Sequence, residues 1–118
     1  MSSKTYAEKY YEFQTKARGF VQEPELKELF AKRANWYCSR LQDFLPKDRS
    51  SRWLDLPCGF GNFLYFLRQQ GYQNISGYDL DPEQVRLARM LQLPAAEGDA
   101  FTILSDVNES YDCIAAID

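Results

Sequence analysis

Residues 53–64 read WLDLPCGFGNFL, which predicts a strand, a tight turn and the start of a helix. The first four residues are apolar except for Asp55, the turn contains Gly59 and Gly61, and the apolar residues after Asn62 recur with a helical period. A turn that contains glycine lets the backbone come close to a ligand, because no Cβ intervenes. The stretch therefore predicts a ligand-binding turn at the end of a strand.

Two further acidic turns follow segments that resemble strands. The sequence YDLD occupies residues 78–81, and Gly98 is followed directly by Asp99. Open α/β sheets bind their ligands in the crevice outside the carboxyl ends of the strands. We therefore expect the three acidic loops to line one crevice.

Strand patterns and helix patterns alternate along the chain. The predicted strands are residues 52–56, 74–80, 94–98 and 111–117. The predicted helices follow Pro24, Asn62 and Asp81, and residues 101–107 contain at least one helical turn. This alternation argues for a parallel sheet with right-handed crossovers. The fourth strand is apolar throughout and is expected to be buried.

Local signals define the helix ends. Gly71 is the predicted C′ residue of the second helix, and residues 81–83, Asp-Pro-Glu, predict a capped start for the third. The third helix carries an inner stripe of Val85, Ala88 and Leu91. Proline suits the first turn of a helix, and the apolar residues after Pro24 recur near a 3.6 period up to Pro46: Leu26, Leu29, Phe30, Tyr37, Leu41 and Phe44.

Residues 1–23 form a polar segment with recurring aromatic side chains. Tyr6, Tyr10 and Phe13 fall on one face of a helix. That face either docks on the rest of the chain or forms a lid over a ligand. We therefore divide the chain into this N-terminal segment and a domain that covers residues 24–118.

Composition and charge are those of an ordinary globular domain. The 118 residues fit one domain at most, and 45% hydrophobic with 26% charged residues is a typical content. The net charge is −3. Basic residues are dispersed among acidic ones, which is typical of a solvated surface and does not predict a nucleic-acid partner.

The chain contains three cysteines and no histidine. The number of cysteines is odd, and no two of them form a CxxC pair: they are Cys38, Cys58 and Cys113. We therefore expect reduced thiols and no metal site. The polar N-terminus does not resemble a signal peptide, and no apolar run approaches the ~20 residues that a membrane span needs. These features predict a cytoplasmic protein without a membrane partner.

Charge favours a cationic ligand over a phosphorylated one. Asp55 stands at the mouth of the turn, and no Lys or Arg lies between Leu54 and Leu67. Two like charges ~4 Å apart repel by about 4 kcal/mol at an effective dielectric of ~20. A pyrophosphate is therefore a poor guest. S-adenosylmethionine, with its sulfonium, ammonium, ribose diol and adenine, fits better.

Residues 54–61, LDLPCGFG, resemble the first motif of the class I (Rossmann-like) S-adenosylmethionine-dependent methyltransferases, usually written LDLGCGxG. The resemblance continues with GYDLDPE at residues 77–83, EGDA at 97–100 and YDCIAAID at 111–118. It implies an α/β fold in which N-terminal helices precede a partial Rossmann-like sheet. The implied sheet has strands 1 to 4 in the order 3-2-1-4, with helices on both faces. It also implies S-adenosylmethionine as cofactor and S-adenosylhomocysteine as product.

The resemblance implies that the first loop holds the methionine part of the cofactor. Asp55 and the backbone around Gly59 and Gly61 would face it, with Pro57 and Cys58 in the same loop. Pro57 stands where the family has a glycine, and proline donates no hydrogen bond. The substitution either stiffens the loop or damages it.

The remaining motifs imply the nucleoside site and a candidate base. Asp79 would accept hydrogen bonds from both ribose hydroxyls, and Leu80 would cover one face of the adenine. Asp99 would accept from the adenine amino group, and the Ala100 N–H would meet a ring nitrogen. Asp118 follows the fourth strand and is the candidate general base, with a helix cap or a structural carboxylate as the other interpretation.

The family order leaves the fourth strand at the edge of the sheet. An exposed apolar edge pairs readily with another chain. We therefore expect a domain truncated after strand 4, which self-associates through residues 113–117 and is inactive alone, while the parent protein transfers a methyl group by in-line displacement to an unidentified acceptor.

Two other functions stay open. A NAD-type dinucleotide-binding half-domain is suggested because Asp79 lies twenty residues after Gly59. The third glycine position of that fingerprint is Leu64, however, and Asp55 is badly placed for a pyrophosphate. A non-catalytic binding or scaffold module that keeps the cofactor fold is the second alternative, favoured by Pro57 and by the missing strands.

Overall fold

The computed structural model describes residues 23–105 and 111–117. Helices and strands alternate as the sequence predicts. Their bounds are α1 (Glu23–Leu41), a 3-10 turn (Gln42–Phe44), β1 (Trp53–Asp55), α2 (Asn62–Gln69), β2 (Ile75–Asp79), α3 (Pro82–Met90), β3 (Ala95–Glu97), α4 (Ala100–Ser105) and β4 (Cys113–Ala115).

The four strands form one parallel sheet in the order β3-β2-β1-β4. In the central strand, Leu54 pairs with Ser76 of β2 on one side and with Ile114 of β4 on the other. The chain therefore runs outward from β1 to β3 and then crosses back over β1 to β4. In open α/β sheets, ligands bind outside the carboxyl ends of the strands at such a reversal. The predicted α/β class and strand order are confirmed.

Aromatic side chains hold α1 against α2 and the sheet. Tyr37 of α1 is buried, and its ring centroid lies 5.1 Å from that of Phe63 in α2. The Phe63 ring lies 5.7 Å from Trp53 of β1, which in turn lies 5.6 Å from Tyr72. Such pairs contribute about 0.5–1.5 kcal/mol beyond their burial. The layer thus fixes α2, and the turn before it, against β1.

The apolar stripe predicted for α1 is confirmed in its middle and wrong at its end. Phe30 and Tyr37 are buried, whereas Phe44 is 82% exposed. The helix ends at Leu41, before Pro46, and continues as a 3-10 turn. A 3-10 helix has three residues per turn, whereas an α-helix has 3.6. The side chain of Phe44 is therefore rotated away from the apolar face of α1.

The predicted end of α2 and the predicted start of α3 are confirmed. The Asp81 side chain accepts a hydrogen bond from the Glu83 N–H at 3.0 Å, and Pro82 is the first residue of α3. Gly71 follows α2 with a φ of +97°, the left-handed conformation typical of a C′ glycine. These short-range signals fix where α2 stops and where α3 begins.

β4 lies at the edge of the sheet and is less buried than predicted. Ala115 is buried, but Ile114 is 57% exposed, and β4 pairs with β1 alone among the described strands. The Cys113 N–H donates to the Arg52 carbonyl at 3.1 Å, and the Leu56 N–H donates to the Ala115 carbonyl at 2.9 Å. The main-chain groups of Ile114 therefore point away from β1. Self-association through this edge stays a prediction.

Candidate cofactor site

The turn after β1 is shaped by two glycines and anchored by an aromatic ring. Gly59 has a φ of +57° and Gly61 of +97°, which L side chains rarely adopt. Phe60 between them is buried and stacks on Phe30 of α1, with ring centroids 5.5 Å apart. The packing of Phe60 was not predicted from the sequence, although an apolar residue between two glycines was an available signal.

The turn directs its backbone donors into the protein. The Cys58 N–H donates to the Tyr78 carbonyl at 2.9 Å, and the Gly61 N–H donates to the Cys58 carbonyl at 3.1 Å. The Gly59 N–H donates to Oδ2 of Asp79 at 2.9 Å. The turn therefore closes through these three donors and needs no N–H from Pro57, which is exposed and follows a cis peptide bond.

Gly77 of β2 allows this turn to lie directly against the sheet. A Cβ at Gly77 would come within 2.6 Å of the Cys58 Cβ and 2.8 Å of the Leu64 Cδ1. Contacts that short do not occur, so a side chain here would push the turn off β2. Gly77 belongs to the GYDLDPE motif at residues 77–83, but this reason for a glycine was not predicted from the sequence. A glycine inside a strand often marks such a close approach.

Asp79 connects the three acidic loops. Besides the Gly59 N–H, its carboxylate accepts the Asp81 N–H on Oδ1 at 2.9 Å. Its main-chain carbonyl accepts the Gly98 N–H at 3.0 Å. A carboxylate offers about four lone-pair sites. One acceptor position on each oxygen of Asp79 is therefore left for a ligand after these bonds.

The third loop begins a short helix. Oδ2 of Asp99 accepts hydrogen bonds from Oγ1 of Thr102 at 3.1 Å and from the Thr102 N–H at 3.4 Å. Ala100 is the first residue of α4, and both Asp99 and Ala100 are half-buried. Leu80, on the loop that follows β2, is 69% exposed. An apolar side chain is therefore accessible at the carboxyl end of that strand.

Asp55, the last residue of β1, is a buried acid. Its side chain is 0% exposed, and neither carboxyl oxygen has a hydrogen-bond partner among the described residues. Burial, and then the nearby charge of Asp79, raise the pKa of Asp55 from 3.8 to about 8. Asp55 is therefore mostly protonated at neutral pH. The negative charge that we expected from it at the mouth of the turn is largely absent.

Cys58 is a buried thiol that keeps its proton. Burial, followed by the charges of Asp55 and Asp79, raises the pKa of Cys58 to about 12. Its Sγ lies 3.5 Å from the Gly59 carbonyl, to which it donates. Since the thiolate is the reactive form of cysteine, the raised pKa disfavours a nucleophilic role for Cys58, which packs the turn.

The structure thus brings together Asp55, the glycine turn and Asp79, and it links Asp99 to them through the Gly98 N–H. Asp118, the candidate base, lies outside the described residues. Across residues 23–105 and 111–117, no cluster of three or more metal-ligating side chains occurs. None of the helices in those ranges combines the length and apolar character that crossing a membrane requires.

The sheet order, the reversal at β1 and the glycine turn define a Rossmann-like α/β fold of the methyltransferase type. The family model described as "Methyltransferase domain" matches residues 12–118, and the chain belongs to that family. No curated protein matches the chain.

A solved structure supports the same fold. The chain is similar to a SAM dependent methyltransferase from Archaeoglobus fulgidus, with a TM-score of 0.58 and 21% sequence identity. The similarity covers 89% of this chain and 42% of that protein. The chain therefore spans less than half the length of this structural relative.

Proposed function

We propose that this chain is the S-adenosylmethionine-binding part of a methyltransferase that acts on a nucleophilic acceptor by in-line displacement. Membership of the methyltransferase domain family supports the class of activity. The observation that carries the choice of ligand is the way in which the turn after β1 uses its N–H groups.

Those N–H groups are occupied within the protein. In a dinucleotide site, backbone donors of the glycine turn and the following helix point at the pyrophosphate. Here the donors of Cys58, Gly59 and Gly61 bind protein oxygens, and one of these oxygens belongs to the carboxylate of Asp79. An anion at the turn would therefore lack these donors and would face a negative charge. A nucleoside without a phosphate meets neither obstacle.

The residues of the crevice fit such a nucleoside. Asp79 keeps one acceptor position on each oxygen, which suits the two hydroxyls of a ribose. Exposed Leu80 offers an apolar surface for the adenine. Asp99 caps α4 through Oδ2, so Oδ1 is the acceptor that we assign to the adenine amino group, beside the Ala100 N–H. Asp55 then faces the methionine part.

Bound S-adenosylmethionine would supply a methyl group that its sulfonium already activates. The contribution of the chain is to hold the nucleoside and to fix the direction of attack, which is the main source of catalysis for such a displacement. Asp118, which the resemblance puts near the transferable methyl group, is the candidate for removing a proton from the acceptor, with a helix cap or a structural carboxylate as its other interpretation.

The role of Asp79 can be tested by equilibrium binding. Asp79→Ala removes the acceptor of two charge-assisted hydrogen bonds and should weaken S-adenosylmethionine binding by about 2–4 kcal/mol, or roughly 30- to 1,000-fold. Isothermal titration calorimetry measures this loss. Asp43→Ala, at an exposed position of the 3-10 turn, is the matched control and should bind like the wild type. Unchanged affinity in Asp79→Ala would remove this residue from the site.

Ligand choice and turnover separate the alternatives. S-adenosylmethionine should raise the melting temperature of the chain, by an amount that grows with the logarithm of its concentration above the dissociation constant. NAD should not raise it, and stabilisation by NAD alone would favour the dinucleotide-binding half-domain. Release of S-adenosylhomocysteine in the presence of candidate acceptors supports methyl transfer. Binding of S-adenosylmethionine without release of S-adenosylhomocysteine would favour the scaffold module.

A further inference from the structure

We propose that Asp55 detects the cationic part of the ligand: it is a neutral acid in the free protein and gives up its proton when a cation binds beside it. The proposal rests on the proposed function, because S-adenosylmethionine provides the cation. Binding would then be accompanied by the release of one proton, which comes from the Asp55 side chain.

The geometry around Asp55 explains why it is neutral. Its side chain is 0% exposed, and both oxygens lack a hydrogen-bond partner in the described part of the chain. At its level in the sheet the neighbouring strands contribute Gly77 and Ala115, neither of which has a polar side chain. A buried carboxylate without a partner is so costly that the group keeps its proton instead.

The ionisable groups that face Asp55 reinforce this state. From β2, Asp79 adds a negative charge that favours the neutral acid. From the turn, Cys58 is a protonated thiol and contributes no positive charge. From β4, the paired residue is Ala115, and the first three residues of α2, residues 62–64, carry no ionisable side chain.

Cations on the helices of the same layer are directed elsewhere. The Arg68 guanidinium of α2 donates through Nη1 to the Leu91 carbonyl at 2.9 Å, at the end of α3. The Arg33 guanidinium of α1 stacks 4.0 Å from the ring centroid of Trp36. Within residues 23–105 and 111–117, neither of these two arginines is directed at Asp55, and in our proposal the neutralising cation comes from the ligand.

A cation near Asp55 reverses the balance. An opposite charge within ~4–6 Å favours the ionised carboxylate, so the O–H bond of the acid breaks, the electron pair stays on the oxygen and the proton passes to the buffer. Binding is then linked to proton release, and its affinity rises by about tenfold from pH 6 to pH 7 when one proton leaves. The ligand ammonium stays charged over that range, since an α-amino group has a pKa of about 7.7–8.0.

Calorimetry at pH 6.5 in two buffers measures the released proton directly. The enthalpy of S-adenosylmethionine binding should differ between cacodylate and imidazole by the ionisation enthalpies of the buffers times about one proton. The matched probe is 5′-deoxy-5′-methylthioadenosine, which keeps the nucleoside and the sulfur but carries neither positive charge, and its binding should release no proton. Equal release with both compounds would overturn the proposal.

A variant and a spectroscopic measurement complete the test. Asp55→Asn should bind without proton release and with the same affinity at pH 6 and pH 7, whereas release equal to that of the wild type would contradict the assignment. Carbon-13 NMR of the wild-type carboxyl groups needs no variant, and it should show Asp55 titrating far above the ordinary aspartate pKa of about 3.9. An ordinary pKa would refute the inference even if S-adenosylmethionine binds. Failure to bind S-adenosylmethionine at all would refute the proposed function, and this inference with it.

Discussion

Replacing Asp55 by asparagine should stabilise the protein at alkaline pH, and the gain should disappear below pH 4. Burial and the charge of Asp79 raise the pKa of Asp55 from 3.8 to about 8 in the folded state. The folded chain therefore holds this proton more tightly than the unfolded chain does. As a result, the free energy of unfolding of the wild type falls as the pH rises from about 4 to 8, and the full penalty applies above pH 8. Asparagine is similar in size and never ionises, so it avoids the penalty.

The magnitude follows from the pKa. A rise from 3.8 to about 8, at about 1.36 kcal/mol per pKa unit, corresponds to an upper limit of about 6 kcal/mol at pH 8.5. Water that enters the crevice reduces this figure, and we expect a measured gain of about 2–6 kcal/mol. Native domains are stable by only about 5–15 kcal/mol, so the effect is large enough to decide whether the chain stays folded.

Urea unfolding at a series of pH values from 4 to 8.5 tests this expectation. Trp53 is buried in the aromatic layer, so its fluorescence reports loss of that layer. Asp43→Asn removes a charge from an exposed position and should stay within about 0.5 kcal/mol of the wild type at every pH. If the free energies of unfolding of Asp55→Asn and the wild type differ by a constant amount across the series, Asp55 ionises normally and the argument from burial is wrong.

Three other substitutions test a close packing contact, a helix cap and the edge of the sheet. Gly77→Ala should cost about 1–3 kcal/mol of stability, because its Cβ would lie 2.6 Å from that of Cys58, and Ser76→Ala at a half-buried position of the same strand is the control in chemical unfolding. Asp81→Ala removes the cap of α3 and should cost about 0.5–2 kcal/mol by the same measurement; no loss would show that the cap is not needed. We also propose that the chain self-associates through the edge of β4, where Ile114 is 57% exposed. Light scattering should therefore show that the Ile114→Lys variant is more monomeric than the wild type. A wild-type chain that is monomeric would contradict this proposal.

Features encoded within a few residues could be predicted from the sequence. The two glycines of the turn adopt positive φ, Asp81 caps α3 and Gly71 closes α2, because each signal depends on backbone conformation close to the residue itself. The strand order followed from the family resemblance rather than from such signals. The exposure of Phe44 escaped the periodic pattern, since the pattern assumes one continuous helix.

Features that depend on distant residues could not be predicted. Gly77 is required because of Cys58, nineteen positions earlier in the chain. The protonation of Asp55 depends on its complete burial and on Asp79, twenty-four positions away. A sequence shows that Asp55 is acidic but not how much water reaches it. The ordinary assumption, that an aspartate near a turn is charged, is wrong for the free protein here.

Because Asp55 is protonated in the free protein, discrimination against phosphate depends on Asp79 and not on Asp55. A protonated Asp55 could donate a hydrogen bond to an anion, so it does not by itself exclude a dinucleotide. The exclusion depends instead on Asp79, whose carboxylate takes the Gly59 N–H at 2.9 Å, and on a turn whose other donors bind Cys58 and Tyr78 carbonyls. Asp79 therefore has two functions in the proposed site: one face of its carboxylate closes the turn against phosphate, and the other remains open to a ribose. In our proposal, Asp55 additionally stabilises a bound ligand that carries a positive charge by giving up its proton.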